Sequence, residues 1–267
     1  MFIQILRDFQ IESIGFFAER FFSKKHDFKG ERHEFIEIVY VHSGSVQVVE
    51  NENVYILNGG DLVVHGPMEF HRIRSFGETE PHVFNISITV AGRLPTQLLA
   101  GVFHLDRQLQ EDFLECAKMT GQLFDSQHSD IYQGQRTAER LALFLMELCR
   151  QKANREAGAM EGSARIYGQL VKDMQETVCL DLDLDEIAAR NYISISYLKK
   201  LFHQYANTTP KDFYDDLRIK YAIARLQEGI PVTEIAETMG FSSPNFFATF
   251  FKRHMGITPS AYKKNMR

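Results

Sequence analysis

The last third of the chain repeats itself, and that repeat leaves few folds open to it. Glu186-Ile187-Ala188 recurs as Glu234-Ile235-Ala236 at a spacing of 48 residues. Leu198 and Phe202 recur as Phe247 and Phe251, Thr209-Pro210 as Thr258-Pro259, and Phe213 as Tyr262, all at a spacing of 49. The extra residue falls in a turn between two helices, where insertion costs little. Each unit has the parts of a helix-turn-helix: a short helix whose small alanine lets another cross closely, a turn, and a second helix. Gly240, in Met239-Gly240-Phe241, suits a left-handed C-cap, and Asn191, in Arg190-Asn191-Tyr192, is expected to adopt that backbone in the first unit. Ser194 and either Ser242 or Ser243 are placed to cap the second helices, with Pro244 in a first turn and Thr-Pro opening the next helix.

In GFSSPNFFATFFKRHMGITPSAY the phenylalanines divide by face. Phe247 and Phe251, four apart, belong in the core with Phe250 beside them, and Phe246 is expected to be partly exposed. Asn245, Thr249 and Lys252 fall on another face, free to reach DNA. An aromatic helix buried in an unrelated bundle would not produce so many matched positions.

The chain ahead of the repeat changes character twice. From about Phe28 to Val90, FIEIVYV, VQVVE, VYIL, DLVVH and FNISITV read as short strands separated by HSGS, NEN, NGGD and GETEP. Turns this closely spaced predict a small barrel or sandwich. From Leu105 the period is helical. In AERLALFLMELCRQ, Leu141, Leu145 and Leu148 share one stripe with Phe144 next to it, while Leu143 and Met146 lie elsewhere. Such a helix buries two sides, either both within the chain or one against a second subunit. ANREAGAMEGSA, residues 153–164, lacks periodicity and reads as a linker. Beyond it, Ile166, Leu170, Met174 and Val178 form a helical stripe with Tyr167 and Val171 beside it.

Composition is that of a globular protein, 44% apolar and 24% charged. The net charge of −5 conceals an asymmetry, −7 up to Ala164 and +2 from Arg165 onward, a weak pointer to nucleic acid. The three cysteines form no C-x-x-C pair, which predicts neither a disulfide framework nor a zinc finger. Arg7, Asp8 and Glu12 interrupt the apolar opening segment, so neither a signal peptide nor a membrane span is expected, and the reading is cytoplasmic.

IAETMGFSSPNFFATFFKRHMGITPSAY resembles the C-terminal signature of AraC/XylS-type transcription regulators, and LDEIA followed by SYLKKLF and TPKDF resembles their first helix-turn-helix. The resemblance covers roughly residues 165–267. It implies two units, about 184–205 and 232–254, joined by a long helix of about Pro210 to Gln227. Their recognition helices would enter successive major grooves ~34 Å apart. Ser196, Lys199, Lys200, Asn245, Thr249 and Lys252 are the expected DNA contacts. Ala248-Thr249 stands where the family often has Ser-Arg, so the first unit is expected to supply more of the electrostatic binding.

FKGERHEFIEIVYVHSG followed by GGDLVVHGPMEFH is similar, more weakly, to the sensor of that family. The expected fold is therefore α+β: an N-terminal cupin-like β-barrel with following helices over residues 1–152, the linker 153–164, and an all-α double helix-turn-helix domain over 165–267. Even spacing puts Glu31, His33 and Glu37 on one face of an unbulged strand with Phe35, Val39 and Val41, and His71 arrives from a later strand. Three readings stay open for these four polar residues. They hydrogen-bond a polar effector, a sugar being common for the family; or they hold a metal ion, since cupin metal sites resemble H-x-H-x3-E plus a later His and here Glu31 replaces the first His; or they brace the barrel mouth. His42, His65 and His82 are expected in loops or at the surface.

The expected partners are double-stranded DNA, a small-molecule effector, a second copy of the chain and RNA polymerase, with no membrane. No catalytic residue, metal or cofactor is assigned. A phosphate-binding glycine loop and a serine or cysteine nucleophile setting are both missing from the sequence, so an enzyme is not expected. The rivals are a cupin-type metal-dependent enzyme or metal sensor fused to a DNA-binding domain, and a DNA-binding scaffold without a ligand.

Overall fold

The computed structural model describes residues 9–95, 98, 101–125, 132–151 and 162–265. The chain divides into two compact units, residues 1–160 and 161–267. Most of the segment read as a linker lies outside the described residues.

The first unit is built on two antiparallel sheets. Strands β1 (Phe9–Phe21), β7 (His82–Gly92), β2 (Ile36–Ser43), β5 (Asp61–His65) and β8 (Phe103–His104) form one, in that order. Strands β4 (Asn53–Asn58), β3 (Ser45–Glu50) and β6 (His71–Ser75) form the other. Alternation along β2 sorts its side chains. Ile36, Ile38 and Tyr40 face one apolar cluster, while Val39 and Val41 join Val46, Val48 and Leu57 of the second sheet in another. Because both faces are covered, β2 reads as a nearly unbroken apolar run. The helices α1 (Arg107–Asp125) and α2 (Gln133–Leu148) cover the outer face, where Leu109, Phe113, Leu141 and Leu145 meet Ile38 and Ile86.

The structure adds an element that the sequence reading omitted. β1 is a 13-residue edge strand paired along β7, with register shifts between Ile11 and Ser13 and between Ile14 and Phe16. Those bulges break the period of two that would have marked it. The stripe on α2 is as expected, Leu141, Leu145 and Leu148 being fully buried. Leu143 and Met146 remain 58% and 46% exposed, so among the described residues of the first unit this helix buries one side only.

The second unit is all helical: α3 (Ser163–Glu176), α4 (Leu184–Arg190), α5 (Ile195–Ala206), α6 (Pro210–Gln227), α7 (Val232–Thr238), α8 (Pro244–Met255) and α9 (Pro259–Asn265). On α3 the buried side is Tyr167, Leu170, Val171 and Met174, with Ile166 only half-buried; Val178, also half-buried, lies in the turn beyond the end of the helix. The caps repeat as the sequence does. Ser194 Oγ accepts from Tyr197 N at 3.2 Å and Ser243 Oγ from Phe246 N at 3.3 Å. Thr209 Oγ1 accepts from Asp212 N and Thr258 Oγ1 from Ala261 N, at 3.1 and 3.2 Å. Each such cap is worth about 1 kcal/mol.

One detail of the turns departs from expectation. Asn191 has φ −97°, and Tyr192 holds the left-handed backbone instead, at φ 55°. The backbone explains the shift. Ile193 N donates to Ala188 O (3.1 Å) as Phe241 N donates to Ala236 O (2.9 Å), so Tyr192 is the counterpart of Gly240 and the extra residue of the second unit follows the turn. Gly240, at φ 72°, could not be copied freely, because a Cβ there would stand 3.3 Å from Cys179 O. Tyr192 is 96% exposed.

Candidate functional site

Two regions of the described chain carry the residues singled out from sequence, one in each unit. In the second unit, Leu198, Phe202, Phe247 and Phe251 are fully buried and fix which side of α5 and α8 faces inward. Ser196, Lys199 and Lys200 on α5, and Asn245, Thr249 and Lys252 on α8, are all exposed. Within each helix they fall at three- and four-residue spacings, hence on one side. Thr249 Oγ1 donates to Asn245 O at 2.9 Å, which leaves its oxygen only as an acceptor. Phe246 is 67% exposed next to this surface. Two of the basic residues near the C-terminus serve the fold: Lys263 Nζ donates to Gly229 O and Ile230 O at 2.6 and 3.1 Å, and Arg253 lies 3.6 Å from the buried Asp215.

In the first unit, Glu31, His33, Glu37 and His71 converge, with their ligand atoms all within 4.8 Å of one another. The route differs from the straight strand expected from residue parity. β2 begins only at Ile36, and Glu31 and His33 arrive on the segment before it. Gly30 makes that approach possible: its φ is 90°, and a Cβ would lie 2.7 Å from the Phe70 ring. Glu31 then pairs with His71 through backbone bonds of 3.0 and 3.1 Å. Glu37 points inward with Val39 and Val41, the part of the parity argument that holds.

Glu31, Glu37 and His71 of this cluster border a cavity of about 400 Å³, lined also by Arg20, Phe28, Asn85 and Ser87. Asn85 Nδ2 donates to Glu37 Oε1 at 3.2 Å. His71 Nε2 lies 3.2 Å from Glu37 Oε2 and 3.9 Å from Glu31 Oε1, but is not aligned for a hydrogen bond to either. Burial pushes the Glu37 carboxyl up, yet His71, His65 and Asn85 together outweigh it and hold it down at about 2. Burial, and then the nearby His71, lower His33 below the ordinary imidazole value. Four buried polar atoms here have no hydrogen-bond partner: His33 Nε2, His71 Nε2, Asn85 Oδ1 and Ser87 Oγ.

His65 corrects the sequence reading. It is 2% exposed, and its Nδ1 donates to Glu50 Oε1 at 2.9 Å. Its ring stacks on His71 with centroids 4.3 Å apart and planes 7° from parallel. Burial opposes its charge, but the bond to Glu50 and that carboxylate's charge raise its pKa overall. His65 faces Glu37 across the β2–β5 ladder, a pairing that the local sequence does not announce. Asn85 and Ser87 went unnoticed for the same reason. The N-S pair two apart in FNISITV was their only signal. His42 is exposed, as expected.

A family model for an AraC-like ligand binding domain matches residues 14–170, and one for a helix-turn-helix domain matches residues 187–265. The first alone spans more than half of the chain. The chain belongs to the AraC family. It is a DNA-binding transcription regulator with a ligand-binding domain, and the cupin-like α+β architecture expected from the sequence is borne out. An uncharacterized HTH-type transcriptional regulator, YidL of Escherichia coli K12, is 31% identical over 109 residues, 40% of this chain and 37% of YidL. The HTH-type transcriptional activator RhaS of Escherichia coli SMS-3-5 is 25% identical over 249 residues, 87% of this chain and 86% of RhaS. Among solved structures, ToxT from Vibrio cholerae O395 is 15% identical over 96% of this chain and 97% of ToxT, with a TM-score of 0.38. Among the described residues, no helix is long and apolar enough to cross a membrane.

Proposed function

We propose that this AraC-family regulator is a cytoplasmic, homodimeric activator whose sensor binds a small, polar, uncharged effector, sugars being the first candidates. The observation that carries the effector reading is the cavity of about 400 Å³ bordered by polar atoms without partners. Buried donors and acceptors left unpaired cost about 1–3 kcal/mol each, so a ligand that pairs them binds favourably and one that lacks hydroxyls or amides does not. Glu31, His33, Glu37 and His71 are the proposed contacts. Activation is the role that its relative RhaS, a transcriptional activator, carries in its name.

On the DNA side, Ser196, Lys199, Lys200, Asn245, Thr249 and Lys252 are the proposed contacts. Lys199 and Lys200 give the first recognition helix two exposed cations, whereas Thr249 in the second has its hydroxyl turned back on Asn245 O. The first unit therefore supplies more of the salt-dependent binding. A sensor over 1–152, a linker at 153–164 and a DNA reader over 165–267 divide the labour, and RNA polymerase is the partner that an activator requires. Selection of bound DNA from a random pool, with and without candidate effectors, tests the reading. The expected result is an enriched asymmetric site whose recovery changes with one effector class. Recovery of no preferred sequence under any condition would overturn it.

A further inference from the structure

We propose that Glu31, His33, Glu37 and His71 bind one divalent transition-metal ion inside the sensor. The inference deepens the effector reading, since it concerns the same cavity, and it rests on three features of the site.

The first is the direction of the imidazoles. His33 Nδ1 donates to Phe35 O at 2.9 Å, and His71 Nδ1 donates to Glu69 O at 3.1 Å. A carbonyl only accepts, so both rings carry hydrogen on Nδ1, and in the neutral ring the lone pair is on Nε2. This is the arrangement by which metal-bound histidines are held: one nitrogen tied to a backbone carbonyl, the other presented to the ion. Both Nε2 atoms are buried and without a hydrogen-bond partner, and His71 is 4% exposed.

The second is what those nitrogens face. His71 Nε2 has two carboxylate oxygens within 3.9 Å, and with the ring neutral its lone pair faces theirs unless a cation lies between them. A proton on His71 would serve the Glu37 contact alone and leave His33 Nε2 unpaired. An ion at the centre serves all four groups, and its two positive charges match the two carboxylates. Two imidazoles and two carboxylates suit zinc, manganese, iron(II), cobalt or nickel.

The third is fit. Metal–ligand bonds of ~2.0–2.2 Å require donor atoms about 3–4 Å apart. The four donors lie within 4.8 Å of one another, and the half-exposed Glu31 carboxyl has room to close the difference. Asn85 already orients Glu37 from behind through its amide. An ion here remains open towards the cavity, where water or an oxygen-bearing effector completes its shell.

The test uses the full-length protein, stripped by a chelator and titrated separately with Zn²⁺, Mn²⁺, Co²⁺ and Ni²⁺. Elemental analysis after desalting, melting temperature and the Co²⁺ visible spectrum are the readouts. The expected result is one ion per chain, a raised melting temperature and a spectrum showing nitrogen and oxygen ligands. His33→Gln and His71→Gln should each weaken binding at least tenfold, Asn85→Ala ~10–100-fold as a supporting residue, and the exposed His42→Gln not at all. Circular dichroism checks folding; should His71→Gln misfold, His33→Gln and the rim variant Glu31→Gln carry the comparison. Substoichiometric uptake by the parent protein, or uptake unchanged in His33→Gln, overturns the proposal. DNA selection on the metal-free protein keeps the two readings apart. A retained effector response without a bound ion rejects the ion alone, and a stoichiometric ion without any effector response rejects the polar effector alone.

Discussion

The Arg218 guanidinium on α6 lies over the ring of Phe241, 4.4 Å from its centroid, and donates through Nη2 to Met239 O. Phe250 of α8 stands on the same cation at 5.6 Å. One side chain of the long helix thus holds both the turn and the recognition helix of the second unit. A cation–π contact contributes about 0.5–2 kcal/mol and a charged hydrogen bond about 1.5–3. Arg218→Met should therefore destabilise the second unit by about 2 kcal/mol and weaken DNA binding in one half of the site. Arg218→Lys should recover only part of this, because the ammonium lacks the planar stack. Calorimetry of the full chain together with DNA footprinting provides the check.

Lys199→Ala and Asn245→Ala should each relax sequence preference at one or two positions, in opposite halves of the site. A base-edge contact is typically worth about 1–3 kcal/mol, roughly 5- to 150-fold in affinity for the preferred base. Binding-site selection on both variants decides it, and unchanged profiles would remove these residues from the reading face.

Leu143→Asp should convert a dimer to a monomer. Leu143 and Met146 are exposed beside a groove of about 680 Å³ shared with Phe9 and Ile11 of β1. Leu145, one position from the apparent centre of the apolar helix, is fully buried, so a charge there would unfold the sensor and report nothing about assembly. Light scattering at micromolar concentration measures the mass of both proteins; equal masses would exclude this surface.

Cys116 should resist thiol reagents until the sensor unfolds. Burial pushes its thiol up to about 12. At pH 8 the thiolate is then on the order of one molecule in ten thousand. Peptide mapping after alkylation, with and without denaturant, reads the difference.

The second unit was largely legible because every device that builds it is local. Capping hydroxyls sit three residues from the amides they accept, and core aromatics recur at helical spacing. The sensor cluster was legible only in part. Glu37 follows from strand alternation, but Glu31 and His33 reach it through a loop turned by Gly30, and His65 is drawn in by its pairing opposite Glu37. Contacts made across strands depend on register, which neighbouring residues in sequence do not record. β1 escaped notice for a related reason, its bulges erasing the alternation that marks a strand.

Tyr192 and Gly240 occupy the same point of the same turn, yet they do so on unequal terms. A residue with a Cβ gives up about 1–2 kcal/mol in the left-handed region, whereas glycine enters it without steric penalty. The amino-proximal reading head accordingly carries a small internal tension that the other lacks. With comparable packing elsewhere, warming should open the two heads in a fixed order, the one holding Tyr192 first, leaving the glycine-turned head as the last grip on the double helix.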